Sequence, residues 1–216
     1  MIYKNIKQRL NTSILLLILV FLIFNFNQIL LFTLLVLGVI SFLEFLNISR
    51  KIFKNKFNLI FSNLLFIIYI SIYCFLFFFF SNFPQLKILL FALLCTCIGS
   101  DIGGFIFGKI FKGRKLTKIS PNKTLSGSVG SFLFSILIFS SFIFYFTNNF
   151  SYTFLIISLI TSLTCQLGDL FFSFLKRKAK VKDTGNFLPG HGGVLDRLDG
   201  IFLGIPLGFC AFILFI

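Results

Sequence analysis

Two long uncharged stretches constrain the fold of this chain more than any other feature of its sequence. Residues 57–86 and 124–168 contain no Asp, Glu, Lys or Arg. A helix needs about 20 apolar residues to cross the hydrocarbon core of a bilayer, so each stretch is long enough for a crossing. The apolar residues run on without alternating with polar ones, which favours helices over the strands of a membrane barrel.

The composition excludes a soluble protein. Apolar residues make up 57% of the 216 residues, and Phe alone supplies 36 positions. Charged residues are 12%, whereas a soluble domain has about 25%. A soluble fold of this size could not bury so much apolar side chain, and the exposed remainder would aggregate. We therefore exclude a soluble globular enzyme, a disordered chain and a free nucleic-acid-binding protein.

The apolar runs predict an all-α, polytopic integral membrane bundle of about seven transmembrane helices. The predicted spans are residues 10–25, 27–47, 58–80, 87–108, 125–147, 152–174 and 200–216. The break between Asn25 and Gln28 is weak, so residues 10–47 also fit one long span with a re-entrant segment. Thr147, Asn148 and Asn149 predict a tight turn between the fifth and sixth spans.

The basic residues predict the orientation, because Lys and Arg favour the cytoplasmic side of a membrane. With the N-terminus inside and seven spans, every Lys and Arg except Lys87 falls in an inside segment. Orientation thus explains most of the net charge of +14 without a ligand. The N-terminus is not expected to be a cleavable signal, since the small-residue cleavage pattern is missing.

Acidic residues within apolar segments are the first functional candidates. Asp101 lies late in the fourth span, where a carboxylate is costly unless it is paired or solvated. The glycines around it have the small-xxx-small spacing of helix packing, which explains them as well as a functional role does but does not explain Ser100 and Asp101. Glu44, near the inner end of the second span, is interpreted instead as an interfacial partner of Arg50 or Lys51.

The loop of residues 109–124 is the second candidate region. Pro121 stiffens the chain before Asn122, Lys123 and Thr124, which then begin a helix. Side-chain donors and free backbone N–H groups at a helix start suit a phosphate. Other basic residues of this loop, Arg114 and Lys115, are interpreted as contacts to anionic lipid head groups.

The third and densest candidate region is residues 168–200. On a helix Asp169 and Ser173 share a face, and so do Asp196 and Asp199. Carboxylates near the cytoplasmic ends of consecutive spans suit Mg²⁺, which takes one or two carboxylates together with substrate phosphate oxygens. His191, the only histidine, lies among glycines and is interpreted as a phosphate or substrate contact, since a zinc site would need more ligands.

Together the three regions indicate a substrate with several phosphates, and hence phosphoryl or nucleotidyl transfer. Neither a Walker A pattern nor a kinase signature is present, so an ATPase or an ordinary kinase is not indicated. A transporter or ion pathway with relay carboxylates remains an alternative, but it predicts acids near the bilayer midplane rather than acids and bases gathered at one face.

Residues 173–199, SFLKRKAKVKDTGNFLPGHGGVLDRLD, resemble the signature of the phosphatidate cytidylyltransferase (CDP-diglyceride synthase) family. The stretches 100–101, 108–109, 119–124 and 168–169 match the same family. The resemblance thus covers about residues 99–200, whereas 1–98 show only a generic multi-span character. It departs from the family at Leu125 and Ser126, where members usually have Trp-Glu, and in a chain shorter than most members.

The resemblance implies the reaction CTP + phosphatidate → CDP-diacylglycerol + pyrophosphate, with Mg²⁺ and a second cation. It divides the chain into N-terminal transmembrane helices, 1–98, and a catalytic transmembrane region, 99–216, with cytoplasmic loops 109–124 and 176–199. It also implies a homodimer in the bacterial inner membrane, with the active site facing the cytoplasm and no nucleic-acid partner. The motif leaves open a relative that acts on polyprenyl or archaeal-type lipid phosphates, and a structural membrane protein that has lost activity.

The resemblance also assigns roles to residues. The implied metal ligands are Asp169, Asp196 and Asp199. The implied catalytic set comprises Asp169 and Asp196 together with the cations that neutralise phosphate charge, Lys176, Arg177 and Arg197. The implied substrate-binding residues are Ser100, Asp101, Asn122, Lys123, Thr124, Ser173, Lys182, Asp183, His191, Gly192 and Gly193. No general base is needed, because the attacking phosphate oxygen is already ionised at neutral pH.

Overall fold

The protein is helical throughout the part that the structure describes. This computed structural model describes residues 2–117, 120, 123–185, 187 and 192–215, with the backbone alone for 2–11 and 13. The helices of these residues are α1 (Ile2–Asn25), α2 (Asn27–Ile52), α3 (Lys56–Ser81), α4 (Pro84–Phe111), α5 (Leu125–Thr147), α6 (Thr153–Lys178) and α7 (Leu195–Phe215). The predicted all-α class is confirmed.

Six helices, α2 to α7, are long and apolar enough to cross a membrane, counted over the described residues. Many of their large side chains are exposed, as helices that face lipid require. The chain is an integral membrane protein. The apolar part of α1 runs over Ile14–Asn25 and is shorter than the other six. The predicted first span is therefore helical, and its crossing of the membrane stays a prediction.

Two breaks between helices test predictions made from the sequence, one between α1 and α2 and the other between α5 and α6. Phe26 is extended, with φ −122° and ψ 107°, and separates α1 from α2. Residues 10–47 therefore form two helices rather than one long span. Asn148 ends α5 in the left-handed region at φ 53°, which Asn tolerates better than most residues. The predicted break between these two spans is present, but the connection covers residues 148–152 rather than a tight turn at 147–149.

The chain forms two compact units, which do not coincide with the predicted division at residue 98. The first unit is Met1–Asn82 with Leu175–Leu198, and the second is Phe83–Phe174 with Asp199–Ile216. The first unit therefore contains the N-terminal helices together with most of the signature segment. The assignment of catalysis to 99–216 stays a prediction, but the N-terminal helices are part of the surroundings of the signature.

In the first unit α2 and α3 pack through aromatic and polar contacts. The rings of Phe45 and Phe66 stack with centroids 3.8 Å apart. The hydroxyl of Ser49 donates to Asn63 Oδ1 at 2.7 Å, while Asn55 caps the start of α3 by accepting from the Phe57 N–H. These contacts hold the C-terminal end of α2, where the basic residues of its last turn also lie.

In the second unit α4 and α5 approach each other through glycine. A Cβ at Gly103 would collide with the carbonyl oxygen of Gly130 and would lie 2.7 Å from Phe134 Cβ. A Cβ at Gly104 would lie 2.7 Å from Ser131 Oγ. The glycines around Asp101 therefore let two backbones come close, as their small-xxx-small spacing predicts.

Candidate active site

Asp169 and Lys123 form an ion pair in the second unit. Asp169 lies on α6. Its Oδ2 pairs with Lys123, and its Oδ1 accepts a long hydrogen bond of 3.4 Å from the hydroxyl of Ser173, one turn later. Lys123 directly precedes Thr124, whose hydroxyl caps α5 by accepting from the Gly127 N–H at 3.1 Å. The predictions that Lys123 and Thr124 lead into a helix and that Asp169 and Ser173 share a face are thus confirmed, while Asn122 lies outside the described residues. Both charged side chains are about one quarter exposed and can be reached from outside the helices.

The described ends of the loop between α4 and α5 pair in antiparallel fashion through Lys115 and Thr124, and we call these paired ends the hairpin. The Leu116 N–H donates to the Lys123 carbonyl at 2.8 Å, and the Leu125 N–H donates to the Arg114 carbonyl at 2.9 Å. Arg114 and its neighbour Lys115 are exposed on this hairpin. The hairpin therefore gathers several cations around the start of α5, which is the arrangement that an anionic group requires.

The departure from the family pattern at Ser126 has a structural role here. The Ser126 hydroxyl accepts the Gly113 N–H at 3.2 Å and lies 3.0 Å from the Thr124 hydroxyl. A Cβ at Gly113 would be only 2.9 Å from this hydroxyl. The small side chain at position 126 thus permits a close approach that holds the hairpin against α5.

Ser100 lies inside the second unit rather than on its surface. Its hydroxyl is 2.9 Å from the Ser162 hydroxyl, and its carbonyl accepts from Ser131 Oγ at 2.7 Å. Asp101, the next residue on α4, is exposed. The predicted substrate contact of Ser100 stays a prediction, and the side chain is fully buried.

Asp196 receives three hydrogen bonds in the first unit. Its Oδ1 accepts from Lys176 Nζ at 2.8 Å. Its Oδ2 accepts from the N–H of Thr184 at 2.8 Å and from the N–H of Gly193 at 3.0 Å. The side chains of Lys176 and Asp196 are only 12% and 9% exposed. The structure therefore joins two of the predicted catalytic residues in a nearly buried pair at the start of α7.

Glu44 completes this group, and sequence reasoning missed it. Its carboxylate is buried on α2 and accepts from the Thr184 hydroxyl at 2.6 Å. It also accepts from the N–H groups of Val194 at 3.0 Å and Leu195 at 2.9 Å. The interpretation of Glu44 as an interfacial partner of Arg50 or Lys51 is wrong. The cost of a carboxylate among apolar residues, which identified Asp101, would have identified Glu44 as well.

Glycines of the signature allow the chain to pack around Glu44. A Cβ at Gly193 would collide with the Thr184 hydroxyl and with the Glu44 carboxylate, and one at Gly185 would lie 2.6 Å from Glu44 Oε1. Gly192 has φ +85°, which is strained for any other residue. We call Glu44, Lys176, Thr184 and Asp196, with the glycines that contact them, the Glu44–Asp196 cluster.

The remaining predicted site residues belong to neither ion pair. Four of them are exposed: Arg177, Lys182, Asp183 and Arg197. Asn122 and His191 lie outside the described residues. Asp199 is 7% exposed, and its Oδ1 accepts from the Gly200 N–H at 2.9 Å.

Comparison with known proteins decides the family. A sequence model of the cytidylyltransferase family matches residues 10–215, which include the Asp169–Lys123 pair and the Glu44–Asp196 cluster. This chain belongs to the cytidylyltransferase family. The resemblance predicted from residues 99–200 is thereby confirmed, and the match extends it over the N-terminal helices that had shown only a multi-span character.

Relatives of this cytidylyltransferase carry the name phosphatidate cytidylyltransferase. That of Rickettsia bellii (strain RML369-C) is 45% identical over 141 residues, 61% of this chain and 60% of the relative. That of Rickettsia felis (strain ATCC VR-1525 / URRWXCal2) is 47% identical over 125 residues, 53% of this chain and 54% of the relative. That of Staphylococcus haemolyticus (strain JCSC1435) is 38% identical over 135 residues, 62% of this chain and 52% of the relative. The chain thus spans between half and three fifths of the length of these relatives.

The carboxylates of this cytidylyltransferase differ in how well they suit Mg²⁺, a cation that prefers oxygen ligands. Of the three predicted ligands, Asp169 suits it best, because it is partly exposed and one of its oxygens has only the long bond from Ser173. Asp196 already accepts three bonds, which leaves one of the roughly four lone-pair directions of a carboxylate. Asp199 is mostly buried.

Within the described part of the chain, no group of three or more His, Cys, Asp or Glu side chains lies close enough together to hold a metal ion. A magnesium ion keeps several waters and is commonly bound by one or two carboxylates together with substrate phosphates. The partly exposed carboxylate of Asp169 fits a ligand set of that kind.

Proposed function

We propose that this chain catalyses CTP + phosphatidate → CDP-diacylglycerol + pyrophosphate. The observation that carries the proposal is the family match over residues 10–215, which contains every residue of the two groups described above. The name shared by relatives that are 38% to 47% identical supports the lipid substrate. The cations around α5 and α7 suit substrates with several negative charges.

The proposed reaction exchanges one phosphoanhydride bond for another. A phosphate oxygen of phosphatidate bonds to the α-phosphorus of CTP, and the bond from that phosphorus to the oxygen bridging it to the β-phosphorus breaks, so that pyrophosphate leaves. The attacking oxygen is ionised at neutral pH, so no side chain has to remove its proton. The chain's task is therefore to position two anions and to neutralise their charge.

In this proposal, Asp169 and Lys123 serve the nucleotide. Mg²⁺, when bound, would neutralise the phosphate oxygens and the leaving pyrophosphate. Asp169 would be its principal protein ligand, with Asp196 and Asp199 as weaker candidates and a second cation beside it. Lys123 and the N–H groups at the start of α5 would then bind phosphate oxygens, since Lys123 is free to leave Asp169 once a metal ion neutralises that carboxylate.

The proposed lipid-phosphate contacts are the exposed cations Arg177 and Arg197. Lys176 is held by Asp196 and is nearly buried, so we assign it to shaping the start of α7 as well as to charge neutralisation. The proposal places the enzyme in a bacterial inner membrane with these residues on the cytoplasmic side, and it includes a homodimer.

The test is an assay of purified protein with CTP labelled at the α-phosphate. Phosphatidate and a polyprenyl phosphate are presented in separate mixed micelles, each with Mg²⁺ or with EDTA. We expect labelled CDP-diacylglycerol and an equal amount of pyrophosphate from phosphatidate with Mg²⁺, and neither product with EDTA. Product from the polyprenyl phosphate alone would replace phosphatidate as the substrate.

Variants of the carboxylates test the residue assignments. Asp169→Asn should abolish product while the protein stays monodisperse in detergent, because an amide neither binds Mg²⁺ well nor pairs with Lys123. Thr164→Val is the matched control, since its hydroxyl bonds only to backbone carbonyls of its own helix, α6. Full activity of Asp169→Asn would remove Asp169 from the proposed site.

A further inference from the structure

Glu44 is a buried carboxylate that the proposed reaction does not use. It is 6% exposed and lies on α2, an apolar helix far from the signature in sequence. Burying a carboxylate costs several kcal/mol unless hydrogen bonds replace its lost water. A carboxylate buried at that cost on an apolar helix requires a reason.

The three donors to Glu44 show what it holds. Val194 and Leu195 mark the start of α7, and their N–H groups donate to Oε1 and Oε2 respectively. The first N–H groups of a helix have no partner within that helix, and its amino end favours a negative charge. Glu44 therefore caps α7 from a different helix.

Glu44 is also connected to Asp196 through Thr184. The Thr184 hydroxyl donates to Glu44 at 2.6 Å, and the N–H of the same residue donates to Asp196 at 2.8 Å. The N–H of Gly193 also donates to Asp196, and a Cβ at Gly193 would collide with the Glu44 carboxylate. Both residues that donate a backbone N–H to Asp196 are thus in contact with Glu44.

We propose that Glu44 is a positioning residue: it acts through Thr184 and the start of α7 to hold Asp196, and with it Lys176, in the geometry that transfer requires. The kinetic part of this inference rests on the proposed function. Glu44 itself touches no substrate. Its effect is to make the backbone around Asp196 rigid before substrates bind, and outer contacts of this kind commonly contribute about 10- to 100-fold to activity.

Glu44→Gln tests the proposal because the amide cannot reproduce the contacts. Each carboxylate oxygen accepts a backbone N–H, one from Val194 and one from Leu195. Whichever way the amide points, its NH₂ group faces one of these donors, and a backbone N–H cannot turn away. Ser41→Ala is the matched control, since Ser41 is a fully buried polar residue of the same helix whose hydroxyl has no partner among the described residues.

The experiment measures hydrogen exchange and kinetics on the full chain in detergent. Without substrates, Glu44→Gln should speed deuterium uptake at Val194 and Leu195, while Ser41→Ala exchanges like the parent. With CTP and phosphatidate, Glu44→Gln should lower kcat per folded molecule by about 10- to 100-fold with a smaller change in the KM for CTP. Glu44→Asp, which keeps both oxygens, should recover part of the loss.

Three results would overturn the proposal. Parent-like exchange at 194–195 in Glu44→Gln would show that Glu44 does not hold α7. Faster exchange with parent-like kcat would reduce Glu44 to a structural role.

If Glu44→Gln does not fold, Thr184→Val is tested instead. This variant removes one hydroxyl and leaves both N–H bonds to Glu44. Parent-like kcat in Thr184→Val would overturn the link to Asp196. A parent protein without transferase activity would refute the proposed function, while the exchange result would still stand.

Discussion

Three carboxylates of this chain are stabilised in two different ways. Asp169 and Asp196 each pair with a lysine, whereas Glu44 accepts from a hydroxyl and from two backbone N–H groups. A lysine partner can be exchanged for a metal ion. A backbone N–H in a helix start cannot move away, so Glu44 is suited to holding structure and Asp169 to binding.

Lys176→Ala should weaken the fold as well as the activity. The variant removes a 2.8 Å bond to Asp196 from a pair that is almost buried, and a hydrogen bond to a charged group is worth about 1.5–3 kcal/mol. We expect the free energy of unfolding in mixed detergent micelles to fall by about that amount, together with most of the transferase activity.

Lys178→Ala is the control for that loss. Lys178 lies on the same last turn of α6 and is exposed, with its ammonium 5.7 Å from the centre of the Phe53 ring. An exposed cation–π contact is worth only about 0.5–1 kcal/mol. Equal losses in the two variants would show that the pair with Asp196 contributes nothing specific.

The sequence identified most single residues of the site by their type and spacing. Asp169 and Asp196 were found because few acidic residues occur in so apolar a chain, and helical spacing placed Ser173 beside Asp169. Lys176 was assigned its role by the family resemblance. Glu44 was assigned to the nearest cations in sequence. Its true partners begin 140 residues later, and no local pattern contains that information.

Helices of this protein are held together by small residues as much as by large ones. Gly200, Gly204 and Gly208 repeat every fourth residue on α7, and a Cβ on each would meet Cys165, Cys97 or Thr161 at van der Waals overlap. In lipid, close backbone approach of this kind replaces the hydrophobic effect as a source of helix association. The spacing was visible in α4 before the structure, but the partner helix was not.

Gly103→Ala should separate α4 from α5. The added methyl would collide with the Gly130 carbonyl, and backbone cannot move as a flexible side chain does. Overpacking of this kind lowers the free energy of unfolding by about 1–3 kcal/mol. The unfolding temperature in detergent, monitored by size-exclusion chromatography of heated samples, should therefore fall.

Gly38→Ala on α2 provides the comparison. Its new methyl would meet only side-chain atoms, Ile70 Cγ2 at 3.2 Å and Cys74 Sγ at 3.4 Å. These atoms can shift by a few tenths of an ångström, and alanine favours a helix more than glycine does. A Gly103→Ala protein as stable as Gly38→Ala would contradict the close approach of α4 and α5.

Across the chain, the charge distribution predicts which ends of the helices face the cytoplasm. Basic residues occupy the last turns of α2, α4 and α6, and such clusters remain on the inside during insertion. Arg114 precedes α5 and Tyr152 follows it, so these two exposed residues should lie on opposite sides of the membrane.

Labelling of single cysteines in spheroplasts checks this orientation. A membrane-impermeant maleimide should modify Tyr152→Cys in intact spheroplasts, and Arg114→Cys only after the membrane is permeabilised. The parent chain is the blank, because its five cysteines lie in helices predicted to be within the membrane. Labelling of Arg114→Cys in intact spheroplasts would reverse the proposed topology.

The amino-acid sequence alone establishes the helices, their membrane character, the family signature and the charges that predict orientation. Each of these depends on residues close together in the chain. The folded chain adds the pairing of Lys123 with Asp169 and of Lys176 with Asp196, and the capping of α7 by Glu44. A run of Phe, Leu and Ile indicates that a helix contacts lipid or another helix. Because apolar side chains occupy nearly every face of such a helix, the run does not indicate which face contacts which neighbour. Which buried carboxylate meets which helix end depends on packing between segments far apart in sequence, and that is a property of the fold.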